Sequence, residues 1–217
     1  MLVAGTCLLL IGCQSEQTIS EPLHIGYVTN SQGFPIVNRN NLKYILARQS
    51  KVYAADVFDT NKSSKVEISL RDDTIITLGQ RTHLVLHRFV RNGDSSSIRL
   101  TLSKGALFVK LNDSGSLELQ TPLAVIQLQD ANIIYVSFAA NVLEVVMTKD
   151  GTMMVSNDDG EVTINSTNFG TRVIAGSAPQ TPYAWTQRRL QRLIEETSVK
   201  PFLKNRSHQR IYHDTRI

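Results

Sequence analysis

The side chains able to do chemistry are few and far apart in the chain. His83 and His87 lie four residues apart in Thr82-His83-Leu84-Val85-Leu86-His87-Arg88. On a helix this spacing would put both imidazoles on one face. The alternation of Leu84 and Leu86 instead reads as a strand, where four residues span about 13 Å. One metal ion with bonds of about 2.0–2.1 Å cannot reach both rings, so the pair is assigned to a solvated strand face and no metal site is expected. Carboxylates gather at Asp72-Asp73 and at Asp158, Asp159 and Glu161. Calcium loops alternate carboxylates over about twelve residues with a glycine near the sixth, and that pattern is absent. These acids read as turn residues. A glycosidase pair would need two carboxyls about 5–9.5 Å apart in space, and nothing in the sequence favours one. There is no G-x-S-x-G, H-E-x-x-H, phosphate loop or G-x-G-x-x-G. A non-catalytic protein without a cofactor is the expectation.

Two cysteines remain, Cys7 and Cys13. Leu2 to Gly12 is an uncharged run of apolar or small residues, too short for the roughly 20 apolar residues of a spanning helix. It suits the apolar region of a secretory signal, with a buried apolar segment as the other reading. Leu10-Ile11-Gly12-Cys13 resembles a bacterial lipobox. That resemblance implies cleavage before Cys13 and lipids on its thiol and new amino group, several chains together giving a stable anchor. Cys7 would leave with the signal, so no intramolecular disulfide could form. Gln14 in place of Asp implies sorting to the outer membrane, with the protein facing the periplasm or the surface.

The 217 residues carry 23 Lys and Arg against 19 Asp and Glu. Residues 183–217 hold eight of the basic residues and three of the acids, so the net charge of +4 belongs to the C-terminal segment and the body is close to neutral. No nucleic-acid partner is expected for such a body. Gln14 to Glu21 is short and polar, as a linker should be.

From about Leu23 to Val173 the apolar period is two. KVEISL (65–70), IITL (75–78), HLVLH (83–87), SIRLTL (97–102), ALFVKL (106–111), SLELQ (116–120), IIYVSF (133–138), LEVVM (143–147) and EVTIN (161–165) all show it. Between them stand Arg71-Asp72-Asp73, Arg91-Asn92-Gly93-Asp94, Asn112-Asp113-Ser114-Gly115, Lys149-Asp150-Gly151 and Asn157-Asp158-Asp159-Gly160. These residue types tolerate positive φ or bond their own backbone. The expected fold is all-β, an antiparallel two-sheet sandwich or a short solenoid-like stack, with a short basic C-terminal helix. The predicted divisions are signal peptide 1–12, linker 13–21, β domain 22–182, and basic amphipathic helix and tail 183–217.

That helix follows Pro182-Tyr183-Ala184-Trp185. Thr186 is placed as its N-cap, and Leu190, Leu193 and Ile194 fall on one face. The stripe either packs on the β body with Trp185 as anchor, or offers Trp185, Arg188, Arg189 and Arg192 to a partner or membrane. After Pro201 the chain is basic and without period, suited to anionic cell-wall polymer or headgroups.

The order of strands and turns resembles the FecR domain over about residues 50–175. Asp56-Val57-Phe58-Asp59-Thr60 resembles its D-x-x-x-T opening, followed by Lys65–Leu70 and Asp73–Gly79. Leu102-Ser103-Lys104-Gly105-Ala106-Leu107 resembles its L-x-x-G-x-L step and Thr121-Pro122-Leu123-Ala124-Val125 its T-P-x-A-x step. Leu143–Val155, with Asp150-Gly151, and Gly160–Ile164 resemble its closing strands. Asp56 and Thr60 are expected to cap a turn before the first regular strand, and Pro122 to mark a strand start or edge. Gln129-Asp130-Ala131 stands where the family usually has Arg-Gly-Thr, and Asp72-Asp73-Thr74 where it has Asp-Gly-Ser or Asp-Gly-Thr. Lost glycines imply altered bends.

Familiar FecR proteins are sensors with a cytoplasmic segment that holds a sigma factor, a spanning helix and an envelope-side part. The resemblance here implies the envelope-side β module alone, with sigma-factor control not carried over. The expectation is a lipid-anchored binding or scaffolding module with a membrane anchor at Cys13. Its partner would be an envelope protein or a cell-wall polymer, and an envelope enzyme is the weaker alternative.

Overall fold

The computed structural model of the chain describes residues 23–129, 133–149 and 151–200. Among these residues there are seventeen strands and one helix. Two ladders emerge from the pairings. The first sheet runs β4(Lys51–Val52), β1(Gly26–Gln32), β6(Lys65–Leu70), β7(Ile75–Leu78), β9(Ser95–Lys110), β12(Ile133–Ala139), β13(Val142–Met147), β16(Phe169–Ile174), β17(Tyr183–Ala184). The second runs β3(Leu42–Ile45), β2(Ile36–Arg39), β5(Val57–Asp59), β8(His83–Asn92), then β9 again, β10(Gly115–Gln120), β11(Val125–Gln129), β14(Thr152–Asn157), β15(Gly160–Ile164). Their inward side chains, among them Val28, Ile68, Val109 and Val136 from one and Phe58, Leu86, Leu100 and Ile126 from the other, form a single core. From β10 onward, hairpins are dealt alternately to the two sheets, so the sandwich also advances like a stack.

The runs SIRLTL and ALFVKL, which read as separate strands, are one strand. β9 spends its first half in the second sheet and its last six residues in the first. The apolar phase changes with it: Ile98, Leu100 and Leu102 are buried before the bend, Leu107 and Val109 after it. Gly105 makes the bend at φ +98, a conformation that disfavours any side chain. A Cβ there would stand 2.8 Å from the Arg81 carbonyl and collide with Thr82. Thr82 locks the corner, its Oγ1 donating to the Ala106 carbonyl and accepting the Ala106 N–H, each at 3.1 Å.

The same crossing corrects the expectation of wholly antiparallel sheets. Because β9 ends in the first sheet, the chain returns to the second from outside. β10 therefore lies parallel to the first half of β9, Gly115 opposite Ser96 through Gln120 opposite Thr101. A tight hairpin would instead have paired β10 antiparallel with the end of β9.

The turns keep the conformations their sequences require, with one departure from expectation. Asp73 takes φ +66, the place a glycine would fill, so the bend at Asp72-Asp73-Thr74 is retained despite the missing glycine. Short polar side chains tolerate this region better than most. The bend at Gln129-Asp130-Ala131 lies partly outside the described residues, as does that at Asp150. Pro122 sits within the turn joining β10 to β11, where Thr121 Oγ1 donates to the Ala124 carbonyl at 2.7 Å. Asn157 Oδ1 accepts the N–H groups of Asp159 and Gly160, so Asp158 and Asp159 occupy a hairpin tip.

Replacing Gly105 by alanine should lower unfolding free energy in urea by about 2–4 kcal/mol. Gly93→Ala, also at positive φ but with nothing within 4 Å of its Cβ position, should cost only about 1 kcal/mol. Equal costs at the two sites would deny the bend its role.

Candidate functional site

The C-terminal segment, where partner contact was placed, closes over the outer face of the first sheet. Laterally paired residues Phe108, Tyr135, Val146 and Gly170 form a row across β9, β12, β13 and β16. α1(Gln187–Thr197) packs on it, burying Leu193 and Thr197. Trp185, Leu193 and Val146 form a second, smaller apolar cluster, flanked by Tyr135, Tyr183 and Leu190. Two glycines admit the segment. A Cβ on Gly170 would lie 2.6 Å from Trp185 Nε1, and one on Gly79 2.7 Å from the Glu196 carbonyl.

Polar groups fix both ends of α1. At the N-terminal end Glu144 of β13 accepts from Arg189 at 2.5 Å and from Arg192 at 2.8 Å. The Arg189 guanidinium also lies 4.0 Å from the Trp185 ring and donates to Tyr183 Oη at 2.8 Å. Burial, the largest single influence, works to lower the Arg189 pKa, but the bond to Glu144, its charge and the contacts with Tyr183 together outweigh it, so the net shift is upward. Thr186 occupies the N-cap position, but its side chain makes no capping bond, and its carbonyl accepts from Arg189 and Leu190 instead. At the C-terminal end Lys65 of β6, 8% exposed, donates Nζ to the carbonyls of Glu195 at 2.6 Å and Ser198 at 3.0 Å. A cation there meets the negative end of the helix dipole. Burial holds the Lys65 pKa below its ordinary 10.5.

Of the four residues named from sequence, then, Trp185 is buried, Arg189 and Arg192 are held by Glu144, and Arg188 is exposed. A groove of about 710 Å³ runs beside them, lined by Glu144, Thr186, Arg188, Arg189, Arg192 and Glu195 among others. Cys13 lies outside the described residues. Sequence reading missed Lys65, Glu144, Gly79 and Gly170, because each acts on a segment tens of residues away and none has a local pattern that announces it.

Asp72 and the two histidines make structural contacts, as do the motif residues Asp56 and Thr60. Asp56 is fully buried; it takes Arg39 Nε and Nη2, both at 2.7 Å, and the Tyr53 N–H at 2.9 Å. It thus caps a turn as expected, but four strands precede it. The bond to Asp56, helped by its charge, raises the Arg39 pKa against the opposing effect of burial. Thr60 donates to the Gly79 carbonyl at 2.6 Å and accepts from the Thr82 N–H at 2.8 Å. Asp72 accepts from the Thr74 N–H and hydroxyl and from Ser96 Oγ at 2.5 Å. Nδ1 of His83 lies 2.7 Å from Asp59 and Nε2 of His87 2.9 Å from Thr101. Among the described residues no three His, Cys, Asp or Glu side chains gather as a metal site would need.

Glu144→Gln should loosen the N-terminal end of α1 and expose Trp185. The emission of this single tryptophan should move to longer wavelength, at a cost of about 1.5–3 kcal/mol in stability. Lys65→Met should fray the other end, raising amide exchange over residues 194–198 while leaving β9 and β12 protected. Unchanged emission and exchange would show that neither group holds the helix.

Residues 56–162 match the FecR protein family. No curated protein matches the chain. Two crystal structures of a candidate anti-sigma factor from Parabacteroides distasonis ATCC 8503 are similar. That at 2.50 Å has a TM-score of 0.50 and 12% identity, and that at 1.65 Å has 0.49 and 13%. Each alignment covers 62% of this chain and 62% of that one, so the chain spans under two thirds of the solved protein's length. At this identity the likeness is one of fold. With Asp56, Thr60, Gly105 and the Thr121-Pro122 turn all lying in the matched segment and all shaping the sandwich, residues 56–162 of this chain are a FecR domain.

Proposed function

We propose that this protein is a non-catalytic lipoprotein of the bacterial envelope, anchored through Cys13. Its FecR domain serves as a protein-binding or scaffolding module in signalling. The observation that carries the reading is the use made of the polar motif residues. Asp56, Thr60 and Asp72 are buried and engaged by neighbouring strands and turns. What the family pattern supplies is a rigid body, and the described buried acids are spent on its corners. The FecR family is envelope-associated and regulatory in character, which fits a module that acts by contact. The similar fold of a candidate anti-sigma factor accords with a signalling role.

A cell-wall or polysaccharide partner is the competing reading. Sugar-binding sites stack rings on exposed aromatic faces, whereas Trp185 is only 6% exposed and lies under α1. This takes Trp185 out of a sugar-stacking role and leaves the exposed Tyr27, Phe34 and Tyr44 as the rings a polymer could meet.

The anchor is tested on the full chain expressed with its leader. The mature protein should carry lipid on Cys13 by mass spectrometry and enter the detergent phase, and Cys13→Ser should stay in the aqueous phase. A mature protein with a free Cys13 thiol would overturn the anchoring. Incubated with purified sacculi, the protein should remain in the supernatant; co-sedimentation would favour the polymer.

A further inference from the structure

Among the described residues the sandwich has four outer strands, and three of them are poor docking sites. β4 and β17 are two residues long, and β15 carries exposed Glu161 beside the Asp158-Asp159 tip. Two-residue edges resist strand addition, and the exposed residues of β15 are Glu161 and Thr163, with no large apolar side chain to meet an incoming strand. β3 differs. All four of its residues are exposed and three are large and apolar, with Leu42 at 59%, Tyr44 at 46% and Ile45 at 64%. Phe34, just before β2, is 69% exposed.

The backbone of β3 is half open. Among the described residues it pairs only with β2, in the register Arg39 to Leu42, Val37 to Tyr44, Asn38 to Lys43 and Ile36 to Ile45. The hairpin turns through Asn40 and Asn41, both at positive φ, as a two-residue loop requires. In such a loop the flanking pair, Arg39 and Leu42, is hydrogen-bonded, and bonding then alternates. Leu46 N–H donates to the Pro35 carbonyl at 2.8 Å, in step with that alternation. Leu42, Tyr44 and Leu46 therefore face β2, and the N–H and C=O groups of Lys43 and Ile45 face outward.

The charge around this edge has one sign. Residues 23–55 contain no Asp or Glu, but include Arg39, Lys43, Arg48 and Lys51. Arg39 is taken by Asp56, while Lys43 and Arg48 are exposed. The carboxylate of Asp59, two strands away, is engaged by His83. A second copy of the chain would bring the same cations to the contact and no acid from this segment.

We infer that β3 is a docking edge for an extended segment of a protein partner in which apolar residues alternate with Asp or Glu. Such a segment adds as a strand to Lys43 and Ile45 by main-chain bonds. Its apolar side chains lie beside Leu42 and Tyr44, and its carboxylates beside Lys43 on the opposite face. This rests on the reading of the protein as a binding module and gives that module a surface and a ligand chemistry.

The test uses the full chain and two capped synthetic peptides, Val-Glu-Val-Glu-Val-Glu and Val-Lys-Val-Lys-Val-Lys. The glutamate peptide should bind at least about tenfold more tightly than the lysine peptide and slow amide exchange at Lys43 and Ile45. Lys43→Glu should reverse the preference. Ile45→Pro, which removes an outward N–H, should abolish binding while leaving the β core protected; Ile45→Thr covers the case in which proline perturbs the hairpin, and should weaken binding without loss of fold. Equal binding of both peptides, or protection of the two amides in the free chain, would overturn the proposal. So would a dimer in sedimentation that Lys43→Glu dissolves. A photo-crosslinker at Arg188 that captures a partner when one at Tyr44 does not would sink the β3 site and leave the binding-module reading standing.

Discussion

One strand belongs to two sheets, and the rest of the sandwich is arranged around that fact. β9 pairs with β8 and β10 before Gly105 and with β7 and β12 after it. A strand can leave one sheet for another only where its backbone turns sharply and its inward phase resets. Gly105 gives the turn, and Thr82 holds the corner from β8's side with both bonds to Ala106. Thr60 ties the same corner to β5 by binding Gly79 and Thr82. The hydroxyls of Thr60 and Thr82 thus satisfy backbone groups that the ladders leave open at this corner. An unpaired buried amide costs roughly 1–3 kcal/mol, which explains why threonines rather than apolar residues fill this part of the interior.

The helix adds a second layer to this body without entering its core. Its apolar contribution is small, chiefly Leu193 and Trp185, too little for eleven residues to dock on burial alone. The polar contacts make up the difference. Glu144 gathers two arginines at one end and Lys65 takes two carbonyls at the other. Both acceptor and donor come from strands within residues 56–162, so the FecR domain itself provides the fittings that hold the segment after it.

Much of the sandwich is visible in the sequence because its strands are half-buried, and burial on one face imposes a period of two. Val66, Ile68 and Leu70, or Leu117 and Leu119, state their faces outright. The junction is less visible. SIRLTL and ALFVKL look like two strands because the phase slips at Gly105, and phase alone does not tell a bend from a loop. The parallel pairing of β10 leaves no trace in either strand, since side-chain alternation is the same in both orientations. The Ala140-Asn141 turn escapes notice because alanine at φ +51 is not a turn signature; the β12 and β13 ladder imposes it. The helix is legible as a helix, and its packing on the body with Trp185 as anchor is one of the two readings the sequence offers; the polar contacts that hold it are not legible, since Lys65 and Glu195 are 130 residues apart.

The two ends of the molecule have different characters, and a tether at Cys13 would bear on only one of them. Ten chain steps separate Cys13 from Leu23, a reach of at most about 35 Å. The first sheet begins near that point with β1 and β4, and the cationic β3 edge belongs to the same N-terminal segment. An exposed apolar edge in a protein free in solution is an aggregation hazard. Held to a surface, the same edge is restricted in the copies it can meet, and the like charges of Lys43 and Arg48 keep those copies apart at distances within roughly 8 Å, the range that physiological salt leaves unscreened. The tether and the one-signed charge would thus act together, leaving the edge free for an oppositely charged strand and closed to its own kind.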